Sequence, residues 1–257
     1  MVEKKDKLAR IVLNRADKRN SFNQELTADL KQAFETVRGD ADLQGVIVTG
    51  AGSVFSAGLD LRAFQEWFSS KSEDPVRMIR LAQETFGVLE DMEKPTLAAI
   101  NRLAVGIGLE LALACDFRIA SEDAELALPE VSLGIIPDVG GAQKLPKIVG
   151  LGIAKEIAFT GESITAERGE KIGLLNKVVP AGSLIDEADK FMRQILENSP
   201  VAVRNTKTLM NKAYQLDPKT MAEYTVSLQQ QCLNSNELLR YAAKYITRKF
   251  KAPEKTK

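Results

Sequence analysis

Apolar residues recur along this chain with two different periods, and the switches between them mark its elements. Leu8 to Leu13 alternates weakly and reads as a strand. Asn14 to Asn23 is polar turn material, with Asn23 placed as the N-cap of a helix. Leu26, Leu30, Phe34 and Val37 then fall at helical spacing up to Gly39. Gly45 to Thr49 is a short β-branched apolar run, the pattern of a strand covered on both faces. Gly58 interrupts the segment Phe55 to Leu61, and residues 60–75 combine aromatics with a polar cluster, the composition of a mobile loop. An amphipathic helix is predicted from Met78 to Met92, stopped by Lys94-Pro95. Thr96 to Ile100 reads as a second buried strand, and Phe117 to Ala120 and Glu125 to Leu128 as two more short ones.

Beyond Gly140 the pattern changes. Helix-like segments succeed one another, broken at Pro146, Gly161 and Pro180, with Thr165 as the N-cap of one of them. Residues 184–250 show almost only helical periodicity, split near Pro200 and Pro218. Brief strands interleaved with helices predict an α/β fold. No internal repeat or low-complexity tract is visible.

Composition narrows the chemistry. At 257 residues the chain is one large domain or two, with ample material for a core. Thirty-five basic residues balance thirty-five acidic ones, so no overall field draws it to nucleic acid or a membrane surface. The opening M-V-E-K-K-D-K has no apolar signal core and no stretch approaches membrane-spanning length, which predicts a soluble, cytoplasmic protein, an organelle presequence removed upstream being the alternative. Cys115 and Cys232 suggest neither a disulfide framework nor a metal site; Cys115, in an apolar helix, reads as an inert core thiol. The chain has no histidine at all. That removes Ser-His-Asp and Cys-His catalysis and any imidazole base, and leaves acid–base work to carboxylates, lysine or tyrosine.

The densest candidate chemistry lies in A-V-G-I-G-L-E-L-A-L-A-C-D, Ala104 to Asp116. Gly106 and Gly108 permit close backbone approach, the helix start offers unpaired N–H groups, and Glu110 falls in its first turn. Three more stretches accompany it: V-F-S-A-G-L-D-L (Val54 to Leu61), L-P-E-V-S-L-G-I-I-P-D-V-G-G (Leu128 to Gly141) and I-V-L-N-R-A-D-K-R-N-S-F (Ile11 to Phe22). In this order and spacing they resemble the crotonase family of enoyl-CoA hydratases and isomerases over nearly the whole chain.

The resemblance implies a spiral of repeated ββα units, here residues 1–195, and a C-terminal helical region, 196–257, that packs against neighbouring subunits as a homotrimer or a hexamer. It implies an acyl-CoA substrate and no metal or redox cofactor, coenzyme A arriving with the substrate. The backbone N–H groups of Leu59 and Ile107 would hold the thioester oxygen; Ile107 stands where many members have glycine. Glu110 and Glu130 match the two catalytic glutamates of the hydratases. Asp138 has two readings, a helix cap or the third carboxylate of dienoyl-CoA isomerases, although those usually carry aspartate at the Glu110 position. Lys18, Arg19, Arg248 and Lys249 sit where the family contacts coenzyme A, with Thr247 departing from the usual glutamate. Ser56, Ala57, Gly58, Asp60, Leu61, Gly106 and Gly108 belong to the motifs lining the substrate, and Phe64, Trp67 or Phe68 are candidates for the acyl pocket or for plain packing. Hydration of a 2-enoyl-CoA is the expected reaction and dienoyl-CoA isomerisation the alternative. An idle RNA-binding or scaffold homologue is the third reading, opposed by the intact glutamates.

Overall fold

The computed structural model describes residues 1–62, 65 and 75–250, with the side chains of Pro75 and of 248–250 excepted. Phe64, Trp67, Phe68 and most of the expected 60–75 loop lie outside the described residues, as do the side chains of Arg248 and Lys249.

Six strands form the main sheet: β1 (Val2–Lys5), β2 (Leu8–Leu13), β3 (Gly45–Gly50), β4 (Thr96–Ile100), then β6 (Phe117–Ser121) and β9 (Lys177–Val179) in that spatial order, all parallel except the β1–β2 pair. A second sheet of three is built from β5 (Leu103–Val105), β7 (Glu125–Ala127) and β8 (Ile164–Thr165). Consecutive turns of chain contribute to both. β4 leads after two residues into β5, β6 leads into β7, and Ser56, just beyond β3, bridges Ala104 of β5. This is a ββα spiral whose repeat is structural; it lies in strand pairing and leaves no trace as sequence repetition.

The main sheet is covered on both sides. Ala9, Ile11, Leu13, Val46, Val48, Ala98 and Ile100 face one core, with Phe34 and Val37 of α1 (Gln24–Gly39) and Phe86 and Leu89 of α2 (Pro75–Glu90). The intervening Leu8, Ile47, Leu97, Ala99 and Ile119 face the other, against Leu184, Ala188 and Met192 of the helix Leu184–Leu196. Burial on both faces is why β2 shows only a weak alternation.

The caps expected at Asn23 and Thr165 are present, accepting from Leu26 N–H at 2.9 Å and Arg168 N–H at 3.2 Å. Pro146, expected to break a helix, instead lies inside the helix Gly141–Val149. Its missing N–H forfeits one intrahelical bond, and Leu145 and Val149, both buried, hold the segment in place. Four helices close the chain, from Leu184–Leu196 through Pro200–Lys212 and Pro218–Leu233 to Leu238–Phe250. Pro200–Lys212 is fastened to the body by Lys207, which reaches Asp116 at 2.8 Å and the carbonyl of Lys94 at 3.0 Å. No described helix is long and apolar enough to cross a membrane.

Candidate active site

The site begins with two glycines in conformations that other residues rarely adopt. Gly58 has φ 91° and Gly106 has φ 54°. Each is also packed against its surroundings: a Cβ on Gly58 would lie 2.8 Å from the carbonyl oxygen of Val105, and one on Gly106 2.9 Å from Glu130 Oε1. The first contact presses the Gly58 turn onto β5, the strand that delivers Gly106. Two turns far apart in the chain thus lie backbone to backbone.

Beyond each glycine an amide is left over. Phe22 N–H donates to Gly58 C=O at 2.7 Å and Asp60 N–H donates to Phe22 C=O at 2.9 Å. In an extended segment successive amides alternate sides, so the intervening Leu59 N–H points away from Phe22. Ile107 opens α3 (Ile107–Ala114), where the first N–H groups have no intrahelical acceptor. Among the described residues neither amide donates to a protein acceptor. Both residues line one cavity of about 900 Å³.

Glu110, Glu130 and Asp138 line the same cavity. Glu110 is 1 % exposed, and its Oε1 accepts the N–H groups of Val139 at 2.9 Å and Gly141 at 2.7 Å. Burial raises its pKa to about 7; those two donors pull the other way, and the neighbouring Glu130 and Asp138 charges add to the rise. Glu130 is 7 % exposed, and its buried Oε2 has no hydrogen-bond partner among the described residues. Its pKa is raised, chiefly by burial, as is that of the half-buried Asp138. Three carboxyls around one cavity thus resist ionisation, and Glu110, carried to about 7, is poised to exchange protons near neutral pH.

Asp138 does not cap the following helix, one of its two expected readings. The chain enters Gly141–Val149 through Gly140 at φ 110° without a side-chain cap, and the acceptor at that helix start is Glu110. Gln83 of α2 donates to the Asp138 carbonyl at 2.7 Å and ties this segment down.

The remaining expected contacts divide. Ala57, Gly58, Asp60, Leu61 and Gly106 line the cavity, with Lys18 and Arg19 at its exposed rim. Asp60 is paired with Arg15 at 2.7 Å. Ser56 and Gly108, read from the sequence as substrate contacts, instead stand behind the wall: Ser56 is fully buried, and a Cβ on Gly108 would meet its Cβ at 2.6 Å. Sequence reasoning missed Asn20. Buried and left-handed at φ 53°, it donates from Nδ2 to the carbonyls of Ala51 and Val54 at 2.9 and 2.8 Å. An asparagine in a polar turn is the usual signal for such a clamp. It also missed the apolar wall of Met78, Ile79, Ala82, Leu133 and Ile136.

A family profile described as enoyl-CoA hydratase/isomerase matches residues 3–251. A crotonyl-CoA hydratase of Syntrophomonas wolfei is 39 % identical over 218 residues, covering 84 % of this chain and 83 % of that protein. A human Delta(3,5)-Delta(2,4)-dienoyl-CoA isomerase is 34 % identical over 243 residues, covering 90 % and 73 %. The crystal structure of an enoyl-CoA hydratase from Bacillus anthracis superposes with a TM-score of 0.90 at 34 % identity, covering 96 % of each chain. With the spiral fold and a profile match running from residue 3 to 251, the chain belongs to the enoyl-CoA hydratase/isomerase family, the crotonases.

Proposed function

We propose that this protein hydrates a 2-enoyl-CoA. The observation that carries the reading is the pairing of two buried glutamates with two unclaimed backbone amides around one cavity. Water adds its oxygen to Cβ of the conjugated thioester, electron density moves onto the thioester oxygen as an enolate, and Cα then takes up a proton. The Leu59 and Ile107 amides stabilise the enolate, each worth about 2.7–4 kcal/mol. Glu110 and Glu130 together accept the proton from water and deliver one to Cα, sharing their titration as a pair. Backbone donors carry the developing charge, so the chemistry calls for no metal or redox group, and coenzyme A enters as part of the substrate. Lys18 and Arg19, exposed at the rim, are placed to meet its phosphates.

Asp138 supports a second reading. It lines the same cavity with a raised pKa, and relatives include dienoyl-CoA isomerases. One experiment separates the two. Crotonyl-CoA is expected to lose its conjugated absorbance with wild-type protein, and Asp138→Asn should retain that activity within about threefold, far less than the loss of a general acid or base would cause. If the wild type instead turns a 3,5-dienoyl-CoA into its 2,4-isomer, and Asp138→Asn abolishes this, isomerisation replaces hydration as the function.

Exposed apolar side chains on the last two helices, Val226, Leu233, Leu239 and Ile246, support burial against further copies. We infer a homotrimer or a dimer of trimers; light scattering at the monomer mass would remove this part of the reading.

A further inference from the structure

Ser56 touches both turns that carry the free amides. Its Oγ accepts the N–H of Gly58, the residue before Leu59, at 3.1 Å and donates to the Asn20 carbonyl at 2.9 Å. Its own N–H donates to Leu103 C=O at 2.9 Å, and its C=O accepts Val105 N–H at 3.1 Å, on the strand that leads into Gly106. On the other side Gly108, the second residue of the following helix, has no room for a Cβ: it would stand 2.6 Å from Ser56 Cβ and 2.8 Å from Oγ. No atom of Ser56 is exposed, and Ser56 is absent from the cavity wall. Asn20, which receives the hydroxyl, is itself clamped to Ala51 and Val54.

We propose that Ser56 is a positioning residue that sets the spacing and aim of the Leu59 and Ile107 amides. The inference rests on the reading of those amides as donors to a thioester oxygen. Substrate never reaches Ser56. Its backbone holds the Leu103–Val105 strand, its Cβ fixes how closely the Gly108 turn approaches, and its hydroxyl fixes the orientation of the Gly58 peptide and so of the next amide. Oxyanion donors act only at hydrogen-bond distance from the place where charge develops, and a misplacement on the order of 1 Å costs about a hundredfold in rate.

The test uses Ser56→Ala, which keeps Cβ and removes both hydroxyl bonds, and Ser56→Cys, which keeps a weaker donor and acceptor of larger size. With crotonyl-CoA, Ser56→Ala is expected to lower kcat roughly ten- to hundredfold with KM within about threefold of wild type, since the lost interaction belongs to the transition state. Ser56→Cys should recover part of the loss. The direct readout is the infrared carbonyl stretch of bound hexanoyl-CoA, isotope-labelled at the thioester carbon. Wild-type protein should lower that frequency from its solution value, Ser56→Ala should return it most of the way, and Ser56→Cys should fall between. A loss of kcat with the carbonyl frequency unmoved overturns the positioning role, and so does an Ala variant with wild-type kcat. If wild type fails to turn over crotonyl-CoA but polarises the bound carbonyl, and Ser56→Ala relaxes it, hydration is lost as the function while the role of Ser56 stands.

Discussion

Glu130→Gln is expected to lower kcat for hydration of crotonyl-CoA by about 10²–10⁴-fold, the usual contribution of a positioned acid–base group. The substitution is a clean probe because of what Glu130 does not do. Its Oε2 is buried without a hydrogen-bond partner among the described residues, so an amide nitrogen in that place displaces no bond, and the remaining oxygen can still accept the residue's own backbone N–H. The chain around it keeps its own anchors: Gly134 N–H donates to Val131 C=O, and Ile135 N–H donates to Glu130 C=O at 3.2 Å. Folding is therefore expected to be intact by thermal melting, and KM to stay within about threefold because the substitution changes one buried atom and leaves the rest of the cavity lining as it is. Loss of chemistry with binding retained identifies Glu130 as a proton carrier. A variant within about tenfold of wild-type kcat would falsify that role.

How much of the fold and site was legible in the sequence depends on whether a feature is local. The caps at Asn23 and Thr165 declare themselves within four residues, and β3 and β4 are apolar runs that any buried strand must show. β5, β8 and β9 have only two or three residues each. They are too short to carry a period and exist because a neighbouring strand pairs with them. β1 is polar apart from Val2, as an edge strand is free to be, and reads as a tail until its antiparallel partner is known. The site obeys the same rule. Glu110 stands out as an acid in an apolar helix start, but nothing local joins it to Glu130 twenty residues on. Only the motif resemblance did that, and the physical link is the spiral, which stacks the Gly106 turn on the Glu130 turn. Ser56 shows the reverse error. A motif marks a residue as part of a site without saying on which side of the wall its side chain stands.

The placement of Glu110 also explains why this site is costly to the fold. Two backbone donors on one carboxylate oxygen normally hold a pKa down. Here burial, with Glu130 and Asp138 nearby, outweighs them and carries it to about 7 from the ordinary 4.5. Between those values the folded protein keeps a proton that the unfolded chain has released. The stabilisation from that retained proton is fully present below 4.5 and disappears as pH rises to about 7. Above pH 7 the ionised Glu110 therefore weakens the folded state by on the order of 3 kcal/mol relative to acid conditions.

Glu110→Gln separates this cost from function. The glutamine Oε1 can still accept the Val139 and Gly141 amides, so the start of the Gly141–Val149 helix keeps its acceptor, but no charge is left to desolvate. The variant is expected to melt several degrees above wild type at pH 8, as about 2–4 °C per kcal/mol applies to chains of this size. At pH 4 and below, where Glu110 is protonated in both the folded and the unfolded chain, the two should melt together. Hydration should fall by about 10²–10⁴-fold in the same variant. Less activity with a stability gain that opens above pH 4.5 and is complete above about 7 is the signature of a carboxylate kept in place for its chemistry at the expense of the fold. Equal or lower melting at pH 8 would mean that the two amide donors more than offset burial, and Glu110 would then be a stabilising helix acceptor with no strained proton to give.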